Sequence, residues 1–237
     1  MIHTRCNQLS YFILLILLFT SCRMDDKEKQ EDWVSLFDGE TLKGWVLKEA
    51  EGKFYVEEGM IVSVTDENTP NCYLSTKKNY KDFILELDFM VESPLNSGVN
   101  IRSKVREEDS TLVYMNGRME PEETTFPAGT VVGYQIEIDP SERAWTGGLY
   151  EPGGRGWLQN LEGKPEAQKA YKKDGWNHFK IVANGNRIQS WINDVPAIDT
   201  TDDLFRSGFI CFQMHGVYNE EQSGKKMFWK NIKIKEL

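Results

Sequence analysis

Cysteine and histidine are scarce, with four and three in a chain of 237 residues. No Cys-x-x-Cys occurs and no cysteine stands at ligand spacing from a histidine, which excludes zinc-ribbon sites and redox dithiols. Clustered lysine and arginine are wanting too. With a net charge of -9 and a pI near 5.0, the chain lacks the basic surface that nucleic acid or anionic lipid demands, and a neutral or cationic ligand suits it better. No apolar run approaches the roughly 20 residues of a membrane-crossing helix. Helical periodicity is nearly missing: only Leu161 to Lys173 reads as a helix, short and superficial.

What the chain does have is strand alternation. In DFILELDFMVE, Phe83, Leu85, Leu87, Phe89 and Val91 share one face. Turn signals at Asp38-Gly39, Lys43-Gly44, Glu58-Gly59 and Asn193-Asp194 punctuate further short strands up to MFWKNIKIKEL. Arg106 to Gly129 has no stable periodicity and reads as a long excursion between strands. Many short strands and almost no helix predict an all-β fold, a sandwich of two antiparallel sheets.

Several strands carry polar residues opposite their apolar ones. In GYQIEIDP, Tyr134, Ile136 and Ile138 point one way and Gln135, Glu137 and Asp139 the other, before Pro140 ends the ladder. In NSGVNIRS, Val99, Ile101 and Ser103 face inward and Asn100 and Arg102 outward. In GFICFQMHG, Cys211, Gln213 and His215 oppose Ile210, Phe212 and Met214. His178 also falls on a polar strand face, where a solvated surface histidine accounts for it. The segment AWTGGLYEPGGRGWL is a poor core: a Gly-rich loop bearing Trp145, Tyr150, Arg155 and Trp157. Carboxylates, amides and a histidine on one sheet face, overhung by aromatics, describe a sugar site.

Residues 1–22 resemble a bacterial lipoprotein signal peptide: Arg5 supplies the charge, Leu9 to Phe19 the apolar run, and Cys22 the lipid-bearing position. Residues 23–32 form a polar tether and 33–237 a single sandwich domain. The expected location is the bacterial cell envelope, with contact to the membrane only through the lipid on Cys22. Cys72 and Cys211 then remain, Cys211 as a buried thiol, and a disulfide between the two is left open.

Six segments in series, LFDGETLKGW, NSGVNIRS, GYQIEID, TGGLYE, GWNHFKI and FQMHG before FWKNIKI, resemble the 3-keto-disaccharide hydrolase family and cover nearly everything after the tether. The resemblance implies a concanavalin-like jelly roll with its site on the concave face, acting on glycosides already oxidised to a ketone at C3. Two departures stand out: the central strand reads Gln135-x-Glu137 where many members have Glu-x-Gln, and FQMHG replaces the usual LQxHG.

On that resemblance Glu137 or His215 serves as base and the other assists the leaving group, with Asp139 orienting a partner or binding a hydroxyl. Asn100, Arg102 and Gln213 polarise the ketone, and Gln135, Trp145, Tyr150, Arg155 and Trp157 hold the sugar. A divalent cation on Glu137, Asp139 and His215 is an open alternative. Two other readings stand beside this one. EIDPSE at Glu137 to Glu142 is similar to the E-x-D-x-x-E signature of endo-β-glucanases, and a lipid-anchored carbohydrate-binding module without catalysis would have the same fold.

Overall fold

The structure, a computed structural model, describes residues 32–237. The expected signal peptide, Cys22 and all but the last residue of the tether lie outside the described residues. In chain order the strands are β1 (Val34–Ser35), β2 (Trp45–Lys48), β3 (Phe54–Glu57), β4 (Met60–Val64), β5 (Cys72–Thr76) and β6 (Phe83–Val91). Then come β7 (Ser97–Val105), β8 (Ser110–Met115), β9 (Pro121–Phe126), β10 (Val131–Ile138), β11 (Leu149–Glu151) and β12 (Gly156–Gln159). A short helix, α1 (Pro165–Ala170), precedes β13 (Asn177–Asn184), β14 (Arg187–Ile192), β15 (Val195–Thr201), β16 (Phe209–Met214) and β17 (Lys226–Glu236).

Two sheets form the sandwich. One runs β15-β14-β13-β6-β17-β4-β3, with β1 added beside β17; the other runs β2-β5-β16-β7-β10-β11-β12-β8-β9. All pairings among the named strands are antiparallel except that of β12 with β8, a single parallel contact between Gly156 and Met115. The inward faces are those that alternation predicts: Leu85, Leu87 and Phe89 of β6 and Ile181 of β13 meet Val99, Ile101, Ile136 and Ile138 of β7 and β10, all fully buried. Trp229 stacks flat on Phe212 at 5.1 Å between ring centres, and Phe212 stacks on Trp45 at the same distance. Each such side chain contributes roughly 1.5–3 kcal/mol by leaving water.

Two expectations change, Cys211 is the buried thiol expected, and the open question of a disulfide closes. Arg106 to Gly129 is not an irregular excursion but contains the β8–β9 hairpin at the sheet edge. Both of its faces are largely solvated, so the hydrophobic alternation that marks a half-buried strand is missing. The helix is shorter than predicted, spanning Pro165–Ala170 alone. Cys72 and Cys211 are both free thiols. Cys72 pairs across the ladder with Met214 and Cys211 with Ser75, so the two sulfurs lie on opposite faces of the sheet and cannot bridge. Burial pushes the Cys72 thiol up to about 11 and that of Cys211 higher still.

Arg102 is the largest departure. Between Ile101 and Lys104, β7 carries one residue more than β10, and between Asn100 and Ser103 one more than β16. Arg102 sits in this bulge at φ +50°. The extra residue turns its side chain away from the polar face of the sheet. Its guanidinium donates to the carbonyls of Lys81 (2.7 Å) and Gly185 (2.8 Å) and to Oδ1 of Asp82 (3.0 Å), tying the two sheets at one end of the sandwich. The side chain has no exposed area. Arg102 is therefore a structural clamp and does not polarise a ketone. Arg102→Ala should destabilise the fold by about 3 kcal/mol, because it strands Asp82 and two carbonyls, as urea unfolding would measure. Turnover per folded molecule should stay within about two-fold of wild type.

Candidate functional site

On its outer face, the nine-stranded sheet brings Gln135 and Glu137 of β10 beside Gln213 of β16 and His215 just after it. These four, with Asn96, Gly117, Arg143, Tyr150 and Trp157, line a cavity of about 210 Å³. Gln135 lies opposite Asn100 and Tyr150, and Glu137 opposite Gly98. Gly98 has a steric purpose: a Cβ there would fall 2.5 Å from the side chain of Gln135, which lies across the strand at this point. Gln135 Nε2 can thus donate to Glu137 Oε2 at 2.7 Å and to Gln213 Oε1 at 3.3 Å, while Gln213 Nε2 donates to Tyr73 Oη at 3.4 Å. Asn96 Nδ2 donates to the other oxygen of Glu137 at 2.5 Å.

Glu137 is only 5% exposed. Burial lifts its carboxyl from the usual 4.5 to about 7, against the hydrogen bonds from Asn96 and Gln135, which favour the charged form. His215 moves the other way: burial lowers its pKa below 6.5, although a hydrogen bond to Gly216 partly opposes this. Its Nδ1 stands 2.9 Å from the Gly216 carbonyl. A carbonyl only accepts, so Nδ1 carries the proton and the neutral ring presents Nε2 as a base. The ring of Tyr218 packs edge-on against the imidazole at 5.5 Å. Around neutral pH the pair is thus a neutral histidine and a carboxyl group poised to give up a proton.

The aromatic wall forms because Gly147, at φ +99°, turns the chain back after β10. Gly147 N donates to the Glu137 carbonyl at 2.8 Å, and β11 then pairs beside β10. Trp157 meets Trp145 and Tyr150 edge-on, at 4.8 and 5.4 Å between ring centres. The guanidinium of Arg143 lies 4.7 Å from the Trp145 ring centre and 5.8 Å from that of Trp157. Such stacking is worth about 0.5–2 kcal/mol. Arg143 also donates to Asp139 Oδ2 at 3.1 Å and to the Gly117 carbonyl at 2.8 Å.

Of the residues singled out by pattern, Glu137, His215, Gln135, Gln213, Tyr150 and Trp157 come together. Trp145 supports the wall from behind. Asn100 is on the correct face but fully buried outside the cavity lining, its amide without a partner among the described residues. Asp139 is a positioning residue: one oxygen accepts Ser141 N at 3.0 Å and the other holds Arg143. Arg155 does not reach the cavity. It is bound to Glu151 and, at 2.7 and 3.1 Å, to Asp202, which also accepts the hydroxyl of Tyr134. His178 pairs with Asp88 at 2.8 Å on the other sheet. Glu142 is exposed in the turn after β10, out of line with Glu137, which removes the E-x-D-x-x-E reading. Among the described residues no three His, Cys, Asp or Glu side chains gather as a metal would require. Glu137, Asp139 and His215 do not suit a cation, because the carboxylate of Asp139 is committed to Arg143 and Ser141 N.

Asn96, Gly117, Arg143 and Tyr73 escaped the pattern. Asn96 and Arg143 flank the strands instead of lying on them, and alternation says nothing there. A cation two residues before Trp145 is the signal that the sequence holds for Arg143.

The fold and the cavity define a jelly-roll sandwich with a buried carboxyl group and a neutral histidine lining one cavity on its outer sheet face. The chain belongs to the 3-keto-alpha-glucoside-1,2-lyase-like domain family, whose profile matches residues 32–235. No curated protein matches it. It is similar to a crystal structure from Parabacteroides distasonis provisionally named a glycosyl hydrolase, at 21% identity and TM-score 0.57, covering 90% of this chain and 97% of that one. A Bacillus subtilis protein described as having a galectin-like fold aligns with TM-score 0.54 and 14% identity over 82% of this chain and 90% of its own. The Emp46p carbohydrate recognition domain aligns with TM-score 0.52 and 13% identity over 83% and 90%. At these identities the likenesses establish the fold.

Gly98→Ala should displace Gln135 from Glu137 and Gln213. The expected result is a fall of roughly ten-fold or more in kcat/KM, the loss of about one hydrogen bond in the site, with a cooperative unfolding transition retained. Unaltered kinetics would show that the amide chain does not set the geometry of Glu137.

Proposed function

We propose that this protein cleaves glycosidic bonds in sugars that carry a ketone at C3, with His215 as base and Glu137 as acid. What supports this is the protonation pattern of the pair inside a cavity for one ring. A C3 ketone acidifies the hydrogen on C2. Nε2 of His215 takes that proton, the C1=C2 double bond forms, the C1–O bond breaks with its electron pair, and Glu137 protonates the departing oxygen. Water adding across C1=C2 completes a net hydrolysis. Arg143 and Gln213 are the donors in the cavity wall suited to charge developing on the ketone oxygen, while Trp157 and Tyr150 flank the ring. The family description, a 1,2-lyase on 3-keto-alpha-glucosides, agrees with elimination across C1 and C2.

A carbohydrate-binding role without catalysis is the second reading, since a protein of the same fold is described as a carbohydrate recognition domain. A carboxyl buried until it titrates near 7 has no purpose in simple binding and favours the enzyme. Assay of a 3-keto-glucoside against the unoxidised glucoside tests this. The oxidised sugar alone should be consumed, with kcat/KM bell-shaped in pH. The acid limb, below pH 6.5, reports protonation of His215, which then cannot accept; the alkaline limb, near pH 7, reports ionisation of Glu137, which then cannot donate. Glu137→Gln should lower turnover by about 10² and erase the alkaline limb. Cleavage of both sugars would indicate an ordinary glycosidase, and binding without cleavage a recognition module.

We also propose that the protein works in the cell envelope, tethered through lipid on Cys22. Cys22→Ala should move it from the membrane fraction to the soluble one; unchanged partitioning would exclude the lipid as its anchor.

A further inference from the structure

We infer that the outer face of the eight-stranded sheet rests on the anionic headgroups of a lipid bilayer, so that the cavity on the opposite sheet is turned away from the membrane. This rests on the reading of Cys22 as a lipid anchor and goes beyond it, since the lipid is then not the sole contact. The net charge of -9 belongs to the whole chain, and strand pairing gathers on this face lysines that the sequence scatters. Lys180 of β13 lies opposite Glu86 of β6, which lies opposite Lys233 of β17. His178, Asp88 and Lys230 form the neighbouring row, and Lys235 stands opposite Ile84 on the other side. Four lysines thus surround two carboxylates. The acids are recessed, Glu86 and Asp88 being 18% and 24% exposed against 45% for Lys233, so the outermost charge in the middle of the face is positive.

Three of these lysines lie over indole rings: Lys230 over Trp176 at 3.8 Å from the ring centre, Lys233 over Trp33 at 4.7 Å and Lys180 over Trp191 at 5.6 Å. Lysine and tryptophan each join an apolar body to a polar tip, and a membrane–water interface collects such side chains. A lysine over each ring also takes the face on which a neutral sugar would stack. The entry of the chain fits the same partner. Trp33 is the second described residue, and β1, which follows it, pairs with β17. Ten residues separate Cys22 from Asp32, a reach of at most about 35 Å, so a lipid on Cys22 would keep this face close to the bilayer surface. Four lysines against two carboxylates leave a surplus too small to bind a free domain firmly. A tether makes the contact intramolecular, and the high local concentration lets a weak surface decide the orientation.

The test labels individual lysines with an amine-reactive ester, read by mass spectrometry, in the lipidated protein isolated from membranes and reconstituted on the outside of phosphatidylcholine vesicles with or without phosphatidylglycerol. On the anionic vesicles Lys180, Lys230, Lys233 and Lys235 should react roughly five-fold more slowly than in detergent, while Lys104, exposed on the opposite sheet, reacts at an unchanged rate. High salt or neutral vesicles should remove the protection. Lys230→Gln combined with Lys233→Gln should return Lys180 and Lys235 to their rates in detergent, with the protein still floating with the vesicles. Flotation of wild type with all four lysines as reactive as in detergent would overturn the face and leave the anchor intact; no flotation would overturn both. Slowing by soluble polygalacturonate and not by the vesicles would assign the face to an acidic glycan and overturn the lipid.

Discussion

The burial of Glu137 is the constraint around which the site is built. Moving a carboxyl from 4.5 to about 7 corresponds to roughly 3 kcal/mol working against the ionised, folded protein. The sign follows from linkage: between those two pH values the folded chain binds more protons than the unfolded one, so this group's contribution to stability falls as pH rises. Asn96 and Gln135 limit the effect by donating to both oxygens, yet they do not reverse it. The result is a group that holds its proton near neutrality and releases it readily, at the expense of some stability.

Such a residue needs neighbours that stay in place. Gly98 leaves room for the Gln135 side chain, Gln213 continues the amide chain to Tyr73, and the turn at Gly147 brings Trp157 over the top. The edge hairpin β8–β9 joins the same arrangement, because Gly117 in its turn receives Arg143. Strands far apart in the chain, β7, β10 and β16, are neighbours in the sheet, and this long-range pairing assembles the cavity.

Alternation made part of this legible. Within an unbroken ladder, period two assigns faces correctly for Gln135, Glu137 and Gln213, and it carries one residue past β16 to His215. It failed at Arg102, because one extra residue in β7 changes which side the chain presents, and nothing in IRSK announces a bulge. Arg155 was misplaced for another reason: a Gly-rich loop offers no periodicity, and the carboxylates that capture it come partly from Asp202, distant in sequence. Asn96 and Arg143 stand just before and just after strands, where no face rule applies. The resemblance of six short segments identified the fold without identifying these contacts, which depend on close packing.

Arg102, Arg143 and Arg155 differ in how far their charge is already matched. The charge of Arg155 is matched by two carboxylates, Glu151 and Asp202, and that of Arg102 is enclosed without exposed area by two carbonyls and Asp82. Both are saturated. Arg143 meets one carboxylate and lies against indole rings at the cavity wall; exposure does not set it apart, since Arg155 is equally exposed, but the charge left unmatched does. A guanidinium is planar and carries five donors, so one held by its face and one edge still has direction and charge to offer a ligand. Asp139, two residues beyond Glu137 on the same strand face, therefore bears on the cavity indirectly, through Arg143. It fixes the arginine at the cavity wall, with its guanidinium against Trp145.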